Sequence, residues 1–503
     1  MLGSHGECEP ANRPGDPGVG PSVIVSDFDP WHSARMAADV LTATQGGGEG
    51  VASRQRQRLA ALLEHARQHT RLHAERLRGL PADAPLSALP VLDKATLMAR
   101  FDDGVADPAL TLAAVRDFVA DPARIGTPLL GRYAVWESSG TSGRPGLFVQ
   151  DAQAMAVYDA LEALRRAPRS AAATSRSFNP LDPFGLFDAW GRWAALGGAG
   201  DRWAFVGAID GHFASQASVQ RLRRLNPWLA QQMRSFSILQ PLPALVQQLN
   251  DWAPTVLATY PTAAAMLADE ARRGVLALPL RELLTGGETL GEAVRRHVGA
   301  AFGCPVHNSY GASEFLTIAA DCAQGRLHVN ADWVILEPVD ERGRPVPAGE
   351  LSRGTLLTNL ANRVQPLIRY DLGDRVRVLP GRCACGSPLP AIEVLGRHDD
   401  LLHLAGRGAR RVPLLPLALS TVLEDEAGVF DFQLLQRGPR TLALRLGAGA
   451  AADAGAVARC RAVLRTFARA QGVPALQVID ETEQPPLRGR SGKVQRVVAM
   501  RDG

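Results

Sequence analysis

Lysine is almost missing from this chain. Of 55 basic residues only Lys94 and Lys493 are lysine, and every other one is arginine. A generic surface cation could be either type, so the two exceptions invite a specific role. Arginine's flat fork suits bidentate partners, whereas lysine's compact ammonium on a long stem can follow a point of developing negative charge. Cysteine is sparse as well: Cys8, Cys304, Cys322, Cys383, Cys385 and Cys460. Six in 503 residues exclude a disulfide-stapled scaffold and fit a reducing compartment. No apolar run has the length of a membrane span, and residues 1–20 are polar and Gly/Pro-rich without an apolar signal core. A cytoplasmic protein with a disordered tail over residues 1–25 is therefore expected. The net charge of +4 is small and scattered, which argues against nucleic acid or an anionic membrane as partner.

What is present describes a large globular chain. With 46% hydrophobic and 21% charged residues, 503 residues exceed one ordinary core and predict two or three domains. Leu59, Leu62, Leu63, Ala66 and Leu72 recur at helical spacing, predicting one amphipathic helix over 53–78. From about 130 onward short apolar strands alternate with helices. Strands are expected at 255–260, 283–285 and 306–309, with helices at 152–166 and 291–302. That rhythm predicts a mostly parallel sheet covered by helices. After Trp333 the pattern becomes antiparallel, with strands at 334–336 and 354–359. The last hundred residues read as a small α+β unit: a hairpin over 430–446, a helix at 453–470 and a strand at 476–479. The fold class is thus α/β, with a core over 26–396 and a smaller domain over 397–503.

Three segments carry chemistry. Glu137-Ser138-Ser139-Gly140-Thr141-Ser142-Gly143-Arg144 lies between a strand and a helix. Its small residues expose backbone N–H groups and hydroxyls, which suits a polyphosphate, although it lacks the G-x-x-x-x-G-K-[ST] pattern. An ordinary flexible loop is the other reading. In Asn308-Ser309-Tyr310-Gly311-Ala312-Ser313-Glu314 a strand end and a ring can hold a purine, with Glu314 a ligand for Mg2+. The alternative is a core tyrosine and a charge at a helix start. In Arg369-Tyr370-Asp371-Leu372-Gly373-Asp374, followed by Gly396-Arg397-His398-Asp399, Asp374 can accept from two ribose hydroxyls and Arg397 can join it. A surface ion pair is the bland version.

Read in order, the Ser/Gly loop, Gly286-Gly287-Glu288, Tyr310-Gly-x-Ser-Glu314, Gly373-Asp374, Gly396-Arg397-x-Asp399 and the late Gly492-Lys493 resemble the adenylate-forming superfamily of acyl-CoA synthetases, adenylation domains and luciferases. Pro90-Val91-Leu92-Asp93-Lys94, Tyr260-Pro261 and Cys383-Ala384-Cys385 are similar to the phenylacetate–CoA ligase and coenzyme F390 synthetase branch. The resemblance spans roughly residues 55–503. It implies mixed and parallel sheets plus a distorted antiparallel barrel in the large domain, and a mobile C-terminal lid. It also implies an AMP-forming acid ligase, which makes an acyl-adenylate from ATP and passes the acyl group to a nucleophile, often CoA. Ser138, Ser139, Gly140, Thr141, Ser142 and Gly143 would wrap phosphates, with Arg144 standing where the family usually has lysine. Gly287, Glu288, Ser309, Tyr310 and Gly311 would line the adenine pocket, Glu314 would hold Mg2+, and Asp374 and Arg397 the ribose. Lys493 would reach the reacting carboxylate and α-phosphate, and Asp399 would be the hinge.

One departure bears on the acceptor. CoA ligases of this branch carry an R-G-x-N-x-F-P-like stretch where this chain has Leu404-Ala405-Gly406-Arg407-Gly408-Ala409-Arg410-Arg411-Val412-Pro413. CoA thiol is the leading acceptor and an amine the alternative; a non-catalytic nucleotide sensor is a third reading. Phe205, Ala208, His212, Tyr260, Gly286 and Phe315 are the expected acyl-pocket walls, small residues beside rings that suit an aromatic or cyclic acid. His212 reads equally as a satisfied loop histidine. Cys322, His328, Cys383 and Cys385 supply three sulfurs and an imidazole, a set suited to structural Zn2+, with four unrelated reduced residues as the alternative. Lys94 is expected to be structural, and the chain a monomer or homodimer.

Overall fold

The computed structural model describes residues 28–81, 84–138, 145–165, 201–238, 240, 242–397, 402–408, 411–414, 419–420, 422–423, 426–429, 431–451, 453–488 and 496–500. The expected tail over 1–25 lies outside them. Among the described residues no helix is long and apolar enough to cross a membrane.

The chain opens with helices. The single helix expected over 53–78 is two, Gly47–His69 and Arg71–Arg76. Thr70 makes the break. Its backbone is extended, with φ −129° and ψ 130°, and its hydroxyl accepts from the His73 N–H while donating to the Ala66 carbonyl. One β-branched residue thus closes one helix and caps the next, an outcome that hydrophobic spacing does not register. The Leu89–Lys94 segment then runs beside Tyr370: Leu92 N donates to Arg369 O and Asp371 N to Leu92 O, both at 2.9 Å. Lys94 follows the N-cap Asp93 as the first residue of a short helix.

A hairpin follows, β1 (Ala134–Glu137) with β2 (Leu147–Gln150). The parallel strands are β3 (Trp203–Gly207), β4 (Met233–Ser237), β5 (Val256–Thr259), β6 (Glu282–Gly286) and β7 (Val306–Ala312). They continue into antiparallel β8 (Phe315–Asp321) and β9 (Leu327–Val329). Strands β10 (Val334–Val339), β11 (Gly354–Asn359) and β12 (Tyr370–Asp371) form a small antiparallel sheet. Next come β13 (Asp374–Val378) and β14 (Ala391–Arg397). Among the described residues, nine strands make one mixed sheet in the order β13-β14-β9-β8-β7-β6-β5-β3-β4. The β10–β12 sheet meets its β13 edge through Ser352 N to Val376 O at 3.0 Å.

Strands β3, β5 and β6 are buried on both faces, which explains their near-continuous apolar runs. Leu257, Leu283 and Val206 pack with helix Pro261–Arg272, whose Ala263, Ala264, Ala265 and Ala268 let it lie close to the sheet. Proline at the start of that helix removes an N–H that would have had no partner. The strand order reverses around β3, which lies between β4 and β5. In open α/β sheets the crevice beyond the strand carboxyl ends at such a reversal is where ligands sit.

The C-terminal stretch contains β15 (Leu402–Ala405), β16 (Arg411–Leu414), β17 (Phe432–Gly438), β18 (Thr441–Leu446), β19 (Gln477–Asp480) and β20 (Val497–Val498). The β17–β18 hairpin and helix Ala456–Ala470 share an apolar cluster of their own, around Leu434, Leu444, Cys460 and Leu464.

Candidate active site

The Ser/Gly loop is tied at its neck. Ser138 N donates to Gly146 O, and Gly146 N donates back to Ser138 Oγ, both at 2.8 Å. These bonds close the loop on itself just as β1 ends and β2 begins. Ser139, Gly140, Thr141, Ser142, Gly143 and Arg144 lie outside the described residues, as do Asp399 and Lys493. The neck is also joined to the β3 side: Glu137 N donates to His212 O at 2.8 Å. His212 is buried; its Nε2 lies 3.0 Å from Asp121 O, and its Nδ1 has no hydrogen-bond partner among the described residues.

Beside it, the carboxyl ends of β3 and β5 make a small-residue floor. Ala208 N donates to Tyr260 Oη at 3.2 Å. Burial pushes the Tyr260 phenol up to about 12. Phe205 lies over Gly207, where an added Cβ would stand 2.5 Å from the ring. Phe315, by contrast, is wholly buried, its ring edge-on to Tyr158 with centroids 4.9 Å apart.

The β6 and β7 ends lie next along the sheet. Gly286 pairs with Ser309, and a Cβ on Gly286 would come within 2.9 Å of Ser309 Oγ, so the close approach needs glycine. Gly287 has φ +75°, the left-handed region that glycine enters without strain. Glu288 then turns back to helix Pro261–Arg272, accepting from Thr262 N at 3.1 Å and Thr262 Oγ1 at 2.8 Å. A carboxylate at a helix N-terminus caps exposed N–H groups and answers the helix dipole. One atom of Glu288 therefore ties the β6 turn to the β5 turn.

Tyr310 and Asp374, 64 residues apart in sequence, meet directly: Tyr310 Oη donates to Asp374 Oδ2 at 2.6 Å. Asp374 in turn faces Arg397 across the β13–β14 ladder. The expected adenine and ribose residues thus come together at one corner of the sheet. Glu314 is neither a strand-end loop residue nor a helix start. Strand β7 continues through Ala312, and Ser313-Glu314 is the two-residue turn into β8, with Ala312 paired to Phe315. Gly311 makes this possible. The ladder shifts register there, and a Cβ would fall 1.9 Å from Leu316 O. Glu314 itself is half-buried. Two residues not singled out from the sequence hold this turn: Trp136 Nε1 donates to Ser313 O at 2.7 Å, and Asn359 Nδ2 to Glu314 O at 2.9 Å.

Away from this corner, the four expected zinc ligands converge. The donor atoms of Cys322, His328, Cys383 and Cys385 all lie within 4.8 Å of one another. Cys322 Sγ is 3.9 Å from Cys383 Sγ, and Cys385 Sγ is 3.3 Å from His328 Nε2. His328 Nδ1 lies 2.8 Å from Leu389 O; donating there leaves Nε2 turned to the sulfurs. The backbone N–H of Cys385 holds the Cys383 thiol below its ordinary range, against the opposing effect of burial.

The Gly311 contact generates a prediction. Because the obstacle is a backbone carbonyl, Gly311→Ala must distort the hairpin rather than move a side chain. We expect a loss of about 1–3 kcal/mol, typical of overpacking, read as a lowered midpoint in chemical denaturation. A midpoint equal to that of the unsubstituted protein would refute the close approach.

Comparison with known proteins agrees with this arrangement. Residues 233–359, which run from β4 to the end of β11, match the AMP-binding enzyme family. A phenylacetate–coenzyme A ligase of Pseudomonas putida is 29% identical over 173 residues, 32% of this chain and 38% of that protein. The matched stretch thus spans well under half of the curated relative. Among solved structures, 2-hydroxyisobutyryl-CoA ligase in its postadenylation state superposes with a TM-score of 0.62 at 18% identity, over 90% of both chains. The same enzyme in its thioesterification state, in complex with 2-HIB-AMP and CoA, gives 0.51 at 19% identity, again over 90% of both chains. At that identity the likeness is one of fold. With the family segment and the curated relative beside it, the chain is similar to AMP-binding enzymes over residues 233–359 and to a phenylacetate–coenzyme A ligase over the 173 matched residues.

Proposed function

We propose that this chain is an AMP-forming acid ligase. It activates a carboxylic acid with ATP and passes the acyl group to the thiol of CoA. The observation that carries this reading is the Tyr310–Asp374 bond at the corner where Gly286 meets Ser309. It sets a ring and a ribose-type acceptor side by side. A carboxylate oxygen attacks the α-phosphorus of ATP, pyrophosphate leaves, and the thiol sulfur then attacks the acyl carbon, releasing AMP. Ser138 to Arg144 serve the phosphates, and Gly287, Ser309, Tyr310 and Gly311 the adenine. Glu288, through its cap on Thr262, keeps the β6 turn in place. Phe205, Ala208, His212, Tyr260 and Gly286 shape the acyl pocket, for which an aromatic or cyclic acid is the best match. The match to a phenylacetate–coenzyme A ligase favours CoA over an amine as acceptor.

Glu314 would hold Mg2+, its half-buried carboxylate in a tight turn being a hard oxygen ligand of the right kind. Bound there, the ion would neutralise phosphate charge. Lys493 is assigned to the reacting carboxylate and α-phosphate, where a fixed cation offsets charge that builds as the oxygen attacks. ATP–pyrophosphate exchange over aromatic, cyclic and fatty acids is expected to be acid-dependent and to fall at least about 100-fold in Lys493→Ala, the scale of a lost transition-state donor. Exchange unchanged in that variant would remove the lysine from the mechanism, and ATP binding without exchange for any acid would favour the nucleotide-sensor reading.

The core over 26–396 and the lid over 397–503 are proposed to rotate about Asp399 between the two half-reactions. Support comes from the structural neighbour, whose postadenylation and thioesterification states are separate structures that superpose on this chain to different extents. Asp399→Pro is expected to leave exchange within about twofold while thioester formation drops at least about tenfold, because a fixed φ stiffens the pivot. Equal loss of both half-reactions would refute the hinge.

A structural Zn2+ is proposed at Cys322, His328, Cys383 and Cys385. Three thiolate sulfurs and one imidazole nitrogen fit a closed tetrahedral site, and a His328 that donates from Nδ1 presents Nε2 as ligand. The ion would pin the β8–β9 turn to the β13–β14 connection. Metal analysis is expected to give about one zinc per chain, lost in Cys383→Ser together with a lowered melting temperature. Zinc-free protein, purified without chelator, would refute the site.

A further inference from the structure

The Glu314 turn is gripped from two directions, and neither grip belongs to its own strands. Trp136 lies in β1, one residue before Glu137 and two before the loop neck at Ser138. Its indole N–H reaches Ser313 O at 2.7 Å. Asn359 ends β11 and spends both hydrogens of its amide: one on Glu314 O at 2.9 Å, the other on Tyr158 Oη at 2.8 Å. Its carbonyl oxygen accepts from Ala361 N at 2.9 Å and Asn362 N at 3.2 Å. Trp136 and Asn359 are both fully buried. Two consecutive carbonyls are therefore fixed by two rigid donors, one of them on the strand that feeds the Ser/Gly loop. A two-residue turn has few internal bonds of its own, so such clamps decide where its side chains stand.

We infer that Trp136 and Asn359 are positioning residues, which fix the Glu314 turn beside β1, the strand that feeds the Ser138–Gly146 neck, so that the Glu314 carboxylate would be set to hold the Mg2+ of MgATP. The inference rests on the acid-activating reading for its ligand, MgATP. The donors act through the backbone of Ser313 and Glu314 and touch neither nucleotide nor ion. Nothing in the local sequence marks them, since their partners lie 177 and 45 residues away.

The test separates positioning from mere folding. Trp136→Phe keeps a ring and removes the indole donor. Asn359→Asp keeps the acceptor that organises Ala361 and Asn362 and removes the amide donor to Glu314. Tyr158→Phe removes the other partner of Asn359 and leaves the Glu314 bond intact. For each variant the free Mg2+ giving half-maximal ATP–pyrophosphate exchange is measured, together with KM for the acid and the melting temperature. The same Mg2+ titration is followed by binding of a fluorescent ATP analogue, which needs no turnover.

The expected result is a rise of about tenfold or more in half-saturating Mg2+ for Trp136→Phe and Asn359→Asp, the usual scale for losing a group that orients a metal ligand. KM for the acid should stay within about twofold, and the Mg2+ dependence of Tyr158→Phe should match that of the unsubstituted protein. If one clamp variant does not fold, the other carries the test. Folded clamp variants with unchanged Mg2+ dependence, even with lower kcat or melting temperature, would overturn the inference. So would a shift of equal size in Tyr158→Phe. Absence of exchange in the unsubstituted protein would count against the ligase reading alone, because analogue binding still reads the clamp. Analogue binding indifferent to Mg2+ in that protein would leave the clamp no ion to position and would overturn it.

Discussion

In the β1–β2 hairpin, which carries the Ser/Gly loop, the outer edge of β2 is met by side-chain amides rather than a third strand. On the edge of β2 that faces away from β1, Val149 N donates to Gln365 Oε1 at 2.9 Å and Val149 O accepts from Asn362 Nδ2 at 2.8 Å. Asp151, just past the strand, accepts from Arg363 N at 3.0 Å and Val364 N at 3.2 Å, and from Ala154 N at 2.7 Å as a helix cap. Burial pushes that carboxyl upward against these backbone donors. Asn359, Asn362 and Gln365 are fully buried, and each uses both ends of its amide. A buried polar group left unmatched costs about 1–3 kcal/mol, so the network is stable only as a matched set. That mutual requirement holds the loop strand, the 359–365 segment and the Glu314 turn in a single register.

From that fixed frame the site assembles along the carboxyl ends of adjacent strands. Parallel strands with helical crossovers put all their following turns at one edge of the sheet, so β3, β5, β6 and β7 each deliver a turn to the same crevice. Each turn meets its neighbour directly: Ala208 with Tyr260, Thr262 with Glu288, Gly286 with Ser309. Tyr310 then reaches from β7 to Asp374 on the far antiparallel wing. In that wing Cys322, His328, Cys383 and Cys385 draw together. The residues proposed for the nucleotide and for the acid thus share one edge because of topology.

Much of the architecture could be read from periodicity. The strands at 256–259, 282–286 and 306–312, the helices at 152–164 and 292–302, and the hairpin over 432–446 all lie within a few residues of expectation. Their signals are local, since apolar runs and spacings act within one element. The break at Thr70 was not legible, because a hydroxyl that both closes and caps helices interrupts an intact apolar stripe. A turn presenting Ser313 and Glu314 was legible, but its place as a hairpin turn beyond Gly311 was not, for a different reason. It depends on the Gly311 bulge against Leu316, a contact that composition does not specify. Phe315 reads as a pocket aromatic but is packed edge-on to Tyr158 in the core, since alternation along β8 sends it there.

By itself the sequence determined the α/β class, the order of chemical segments and the kind of groups each one offers, because residue type and short-range spacing set backbone preference and donor chemistry. It also brought forward Cys322, His328, Cys383 and Cys385 as a candidate set from composition. Only the tertiary structure decided that these four meet, that Tyr310 bonds Asp374, and that Trp136 and Asn359 hold the Glu314 turn. Those are contacts between residues tens to hundreds of positions apart. Their geometry follows from strand order and register, which the chain sets only when its whole core is packed.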